Sequence, residues 1–220
     1  MLSDVLALKT LLFPPRCLTC QLPGVEFCDA CLRLWKQPAK ELCGQGIPFF
    51  SVVSYRDQAR KCILAAKEDG NRSARQALVM ALRSGLEGYI RTFPSTNDLV
   101  LVPLPSRKAA VRRRGRDHVL ELCQDLAKLD QKRISTVSLF GYQRPVRDQS
   151  LLGVAERSAN LHGAFLVRSQ QLPHLTRKDL ILVDDLVTSG ATIREGIRAL
   201  AAWNEPVSGV ISACAAPSYF

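Results

Sequence analysis

The 220-residue sequence contains no Gly-Lys pair, so it has no G-x-x-x-x-G-K-[ST] loop and is not a P-loop nucleotidase. It has no apolar run long enough to cross a bilayer. Residues 1–13 carry Asp4 and Lys9 inside their apolar pattern and have no basic leader before a continuous apolar core. They read as neither a signal peptide nor a membrane span. Histidine is scarce, and His162 and His174 have no metal-ligand spacing, so they receive no role. Aromatic residues make up only 6% of the chain and are not interleaved with the basic ones, which leaves no evident stacking platform for single-stranded nucleic acid. Internal repeats and low-complexity segments are absent. Lys and Arg, however, outnumber Asp and Glu by 30 to 20, and that excess favours anionic partners. The length suits one main domain with a small appendage. Eight cysteines without a secretion signal point to a reducing, cytoplasmic compartment, where thiols serve metals or cores rather than disulfides.

The most informative stretch runs from Asp179 to Thr192. Its apolar run, Leu180 to Val183, is too short for a helix and lacks polar alternation, so it reads as a buried parallel strand. Asp184 and Asp185 follow at the carboxyl end, where open α/β sheets bind ligands. Ile193, Ile197, Leu200 and Ala201 then recur at helical spacing, which makes Thr188, Ser189 and Gly190 the turn that opens a helix. Hydroxyls and free N–H groups at such a helix start cradle an anion, and Gly190 permits close backbone approach. Two adjacent carboxylates would repel that anion, so they must face donors such as vicinal sugar hydroxyls. A ribose 5-phosphate satisfies both halves. The plainer alternative is a buried strand that ends in solvated acids at an ordinary Thr/Ser cap.

The run resembles the phosphoribosyl-diphosphate motif of type I phosphoribosyltransferases, with Ser189 where a second Thr is more usual. The resemblance implies an α/β fold with a parallel sheet flanked by helices. It implies a ligand segment of Asp184, Asp185, Leu186, Val187, Thr188, Ser189, Gly190, Ala191 and Thr192, in which the two acids hold the ribose hydroxyls and the turn holds the 5-phosphate.

Near the N-terminus, Cys17-x-x-Cys20 and Cys28-x-x-Cys31 form two knuckles with the spacing of a tetrahedral thiolate zinc site. Nothing in the pattern leaves an open position for catalysis, so the zinc is expected to be structural, with free thiols as the alternative. Cys43 either replaces one ligand or is the remnant of a third knuckle. A short helix marked by Val5, Leu8, Leu11 and Leu12 precedes the knuckles and stops at Pro14-Pro15. The boundary falls near Gly46, which divides the chain into an N-terminal module of residues 1–46 and a main domain of residues 47–220.

In the main domain a strand is expected at 49–55 and helices at 57–67 and 72–91, separated by the turn signal Asp69-Gly70-Asn71. Ala77, Val79, Met80, Leu82, Leu86 and Ile90 suit a core face. A buried strand at 98–103 leads into Arg107, Lys108, Arg112, Arg113, Arg114 and Arg116, a cluster able to neutralise a pyrophosphate or to track a nucleic-acid backbone. The alternative is a solvated basic loop. Residues 141–160 read as a mobile loop over the site. Further strands are expected at 165–167 and 207–213, with Cys62, Cys123, Trp203 and Cys214 in the core.

The Pro103-Leu-Pro-Ser-Arg and Arg112-Arg-Arg-Gly segments, the paired knuckles, Arg144, Gln149 and the run Glu156-Arg157-x-x-Asn160-x-x-Gly163-Ala164-Phe165 are together similar to the ComF family of phosphoribosyltransferase-fold proteins. The similarity extends over nearly the whole chain. It implies a role in natural competence and the uptake of single-stranded transforming DNA, with phosphoribosyl diphosphate or ribose 5-phosphate as ligand, magnesium as its companion and DNA-uptake proteins as partners. The chain departs from the family after Arg-Gly, where an aromatic residue, Asn and Gln are usual and Arg116, Asp117 and His118 stand instead. Three functions stay open: a phosphoribosyl-diphosphate-binding competence protein, an active transferase on a nucleobase or other acceptor, and a non-catalytic sensor. For transfer, Arg107 and Lys108 would stabilise the leaving pyrophosphate, and Asp184 or Asp185 would steady the cationic ribosyl centre. Oligomeric state, including a homodimer, is left open.

Overall fold

The computed structural model describes residues 14–43, 46–146 and 154–220. The expected helix at residues 5–12 and the positions of Arg147 and Gln149 lie outside them. The described chain is a mixed α/β structure whose main sheet has six strands in the order β1-β2-β8-β7-β3-β4. These are β1 (Lys40–Leu42), β2 (Phe49–Ser54), β3 (Asp98–Pro103), β4 (Ile134–Thr136), β7 (Lys178–Val187) and β8 (Gly209–Ala215). All neighbours run parallel except β1, which pairs antiparallel to β2 at the edge. A separate antiparallel pair is made by β5 (Phe140–Tyr142) and β6 (Phe165–Val167).

Strands covered on both faces read as unbroken apolar runs because each pleat needs a hydrophobic partner. Leu99, Leu101, Ile181 and Val183 point to one face, where they pack with α2 (Asp57–Lys67), α3 (Arg72–Thr92) and α5 (His118–Ala127). Val100, Val102, Leu180 and Leu182 point to the other, against α7 (Ala191–Ala201), the β5–β6 pair and Leu161 of α6 (Val154–Leu161). Leu182 is fully buried, and its truncation to Ala costs about 2–5 kcal/mol.

Local signals fix the helix ends. The Asn71 side chain accepts from the Ala74 N–H at 2.9 Å and opens α3. Asp117 does the same for α5 through the Leu120 N–H. Gly115 ends the short α4 (Lys108–Arg114) in the left-handed region at φ 70°. At the N-terminus, α1 (Asp29–Trp35) follows the cysteine knuckles, and its Trp35 is fully buried within the core cluster of the main sheet. The edge strand β1, which precedes Gly46, also belongs to that sheet.

Two expected core residues lie elsewhere. Trp203 is 48% exposed and Ile90 is 42% exposed. Trp203 follows the last turn of α7, and Ile90 falls on the side of α3 turned away from the sheet, because the apolar face of that helix is carried by Leu78, Leu82, Leu86 and Tyr89.

The chain leaves β3 towards β4 on one side and returns to place β7 on the other. The change of direction makes the gap between the carboxyl ends of β3 and β7 the topological switch point, the usual ligand crevice of an open α/β sheet.

Candidate functional site

The β7 strand runs four residues beyond the expected apolar core. Its pairing with β3 ends at Val183↔Pro103, whereas its pairing with β8 continues to Val187↔Ala215. Asp184 and Asp185 therefore lie within the strand, at the point where β3 has turned away, and one side of β7 is open there. A cleft of about 270 Å³ fills the gap. Asp184, Asp185, Leu186, Thr188 and Thr192 line one wall, while Ser106, Arg107, Arg113 and Arg114 line the other, with Lys67 and Glu68 between them.

Asp185 is nearly fully buried. Its Oδ2 accepts from the Lys67 ammonium at 3.0 Å and lies 3.8 Å from Nε2 of His118, which is itself fully buried. Burial alone would raise the Asp185 pKa, but the Lys67 charge outweighs it and holds the carboxyl down to about 2. Asp184 is half-buried, and its Oδ1 accepts from the Asp185 N–H at 2.9 Å. Desolvation, followed by the charge of Asp185, pushes Asp184 well above the usual carboxylate range. Asp185 thus has its counter-ion in place, and the like charge beside Asp184 favours a proton or a cation on that acid. Burial also dominates at His118 and lowers its pKa to about 4 despite the pull of Asp185. Neither ring nitrogen of His118 has a hydrogen-bond partner among the described residues.

The turn after β7 leads into α7 through Gly190, whose φ of 69° is left-handed and favours glycine. Ser189 Oγ accepts from the Ala191 N–H at 3.4 Å, and Thr188 Oγ1 accepts from Arg157 Nη1 at 3.2 Å. Val187 and Ala191 are buried in the core below the turn. Across the cleft, Arg107 is the N-cap of α4 and also borders a second cavity of about 320 Å³. Lys108, paired with Arg107 in the sequence reading, borders that second cavity together with Arg112 and Arg144 and does not line the carboxylate cleft. The Tyr142 hydroxyl donates to the Pro105 carbonyl at 2.9 Å, and Tyr142 lines both cavities.

Arg116, Asp117 and His118 are each held by contacts within the fold. Arg116 donates to the carbonyls of Ala66 and Lys67 at the end of α2 and pairs with Glu121 at 2.8 Å. Asp117 caps α5 and accepts from Ser106 Oγ at 3.3 Å. His118 packs against Asp185. Arg116 therefore fixes the end of the helix that presents Lys67.

The Sγ atoms of Cys17, Cys20, Cys28 and Cys31 lie within 4.8 Å of one another. Four sulfurs at the zinc–thiolate distance around one tetrahedral ion stand about 3.8 Å apart, so the cluster could hold a metal such as zinc. The Cys28 N–H donates to Cys17 Sγ at 3.5 Å. Although burial opposes it, this donor and the Cys20 N–H help to lower the Cys17 pKa to about 5. Cys43 is exposed and is not part of the cluster. Cys62, Cys123 and Cys214 are buried.

Sequence reasoning did not single out Lys67, Glu68 or Glu195. The Glu195 carboxylate accepts from the Gly163 and Phe165 N–H groups, each at 3.0 Å, and from Arg198 at 2.8 Å, and so ties α7 to the start of β6. Compared with protein-family models and with curated proteins, the chain finds no match. Among the described residues, no helix is long and apolar enough to cross a membrane.

Proposed function

We propose that the cleft binds phosphoribosyl diphosphate or a related ribose 5-phosphate, and that the chain is a ComF-like protein of the type I phosphoribosyltransferase fold acting in natural competence, at the uptake of single-stranded DNA. The observation that carries the reading is the Asp184-Asp185 pair at the opening between β7 and β3, with a glycine-bent hydroxyl turn on one side and arginines on the other. Ribose hydroxyls donate to the two carboxylates. The 5-phosphate takes the N–H groups and hydroxyls of Thr188, Ser189 and Thr192 at the start of α7, where the helix dipole favours it. The diphosphate faces Arg107 and its neighbours.

Magnesium fits this arrangement through Asp184, because Asp185 is already neutralised by Lys67. When bound, it supplies charge neutralisation of the diphosphate. Zinc in the thiolate cluster is structural in this reading, since four protein sulfurs leave no open position. Transfer of the phosphoribosyl group to an acceptor is the second reading, and it is favoured by the position of Arg107 opposite the acids. There a nucleophilic atom of the acceptor bonds to ribose C1 as the bond from C1 to the diphosphate oxygen breaks, the acceptor's proton passes to solvent, the arginine takes up the developing charge on the departing diphosphate, and the carboxylates steady the cationic sugar.

The test is thermal unfolding with and without magnesium and phosphoribosyl diphosphate, on the wild type and on Asp184→Asn/Asp185→Asn. Ligand at about a hundred times its dissociation constant stabilises by about 2.7 kcal/mol. The wild type is expected to shift and the variant not to shift. Equal shifts in both, or a shift in neither, would remove the site assignment.

A further inference from the structure

Arg114 is a charged side chain only 4% exposed. Its Nη1 donates to Glu68 Oε1 at 3.0 Å, while its Nε and Nη2 are buried without a hydrogen-bond partner among the described residues. A guanidinium carries five N–H donors, and leaving buried donors unmatched costs free energy that a fold ordinarily avoids. The residue lines the cleft opposite Asp184 and Asp185, alongside Arg107 and Arg113. Glu68, at the end of α2, covers it and holds the more exposed Arg113 with its other oxygen, also at 3.0 Å. A carboxylate shared between two guanidinium groups has the form of a phosphoryl group's two oxygens held in an arginine fork.

We propose that Glu68 is the protein's own stand-in for a ligand phosphate, and that an anion of the diphosphate class displaces it to engage Arg114. This deepens the function proposed above and rests on it. The displacement is cheap on the protein side. Arg113 is 69% exposed, so its pair with Glu68 contributes little. Glu68 is itself 35% exposed at the mouth of the cleft, so it can turn to solvent once an anion takes its place. Arg114 then becomes a binding residue for the ligand, with the Nη1 that Glu68 had occupied released to it, and Glu68 sets how much of the intrinsic affinity is realised.

The experiment is isothermal titration of inorganic pyrophosphate into the full chain and into Glu68→Gln, Arg114→Lys, Arg114→Gln and each Arg114 variant combined with Glu68→Gln. Glu68→Gln is expected to tighten binding about tenfold, a coupling of ordinary size, and Arg114→Lys to weaken it by a similar factor because the fork is lost. In the Arg114 backgrounds the gain from Glu68→Gln disappears. Arg114→Lys keeps the charge and guards against a failure of Arg114→Gln to fold. If Glu68→Gln leaves pyrophosphate affinity unchanged or weaker, if its gain persists without Arg114, or if neither wild type nor Glu68→Gln binds pyrophosphate, the proposal falls. Failure of the underlying reading is separate: it appears as phosphoribosyl-diphosphate binding that ignores Asp184→Asn/Asp185→Asn.

Discussion

Asp185 is surrounded by residues distant from it in the sequence. Its counter-ion, Lys67, lies 118 positions away, and no local pattern announces such a pair, so Lys67 was not legible before the fold. His118 was visible only as a departure from a family pattern. Its burial follows from being the first residue of α5, folded under β7. These environments predict distinct acid responses. The native state resists protonation of His118, whose pKa falls from 6.5 to about 4, so below pH 6.5 the unfolded chain binds the proton first. Stability is complete above that pH and is lost as it falls towards 4, by about 3 kcal/mol for a fully buried imidazole. Urea unfolding of the wild type and of His118→Gln checks this: the wild type should lose stability relative to the variant across that window. The Asp185 contribution is lost only lower, between 3.8 and about 2.

Among the elements, α7 carries two features one turn apart, the proposed phosphate turn at its start and the Glu195 anchor to β6. Glu195→Gln retains one acceptor oxygen where two serve the Gly163 and Phe165 N–H groups, so one buried donor is orphaned at a cost of about 1–3 kcal/mol. Hydrogen exchange should show faster exchange at those two amides while β8 keeps its protection. The cysteine knuckles form a second local unit. Metal analysis of protein purified without added zinc is expected to give about one zinc per chain, and chelation should loosen residues 14–36 before the sheet. The sequence made the elements themselves legible wherever both faces of a strand are buried or a helix is capped: the expected helices at 57–67 and 72–91 appear within a residue of those bounds. The full length of β7 was not legible, because its last residues are held by pairing with β8 alone and two of them are acids. Trp203 misled because an apolar side chain was assumed to mean burial, whereas its place just past the end of α7 leaves it 48% exposed.

At the scale of the whole molecule, a net charge of +10 draws anions of every kind, so affinity for single-stranded DNA must be read through its salt dependence. If backbone phosphates are the contact, log affinity should fall linearly with log salt, by about 0.7 for each phosphate engaged. Binding independent of salt would exclude that mode. The family resemblance rests on residues scattered over the chain, and the fold gathers several of them around the β3–β7 gap: Arg107 and Arg114 in its wall, Arg157 on the Thr188 hydroxyl, Asn160 buried at the end of α6. What the sequence withheld was the charge balance across that gap, which depends on Lys67 and Glu68 arriving from the end of α2.

The two tryptophans stand at opposite extremes of this architecture. Trp35 is sealed where the cysteine module meets the main core, and Trp203 lies half-exposed just past the far end of α7, the helix whose first turn borders the carboxylate cleft. Their intrinsic fluorescence therefore divides by colour and by quencher: blue emission shielded from iodide reports on the packing of α1 into the main core, and red, quenchable emission reports on the end of α7. Loosening of the N-terminal module and rearrangement at the end of α7 can be followed in one cuvette, without a label, as two separate optical signals.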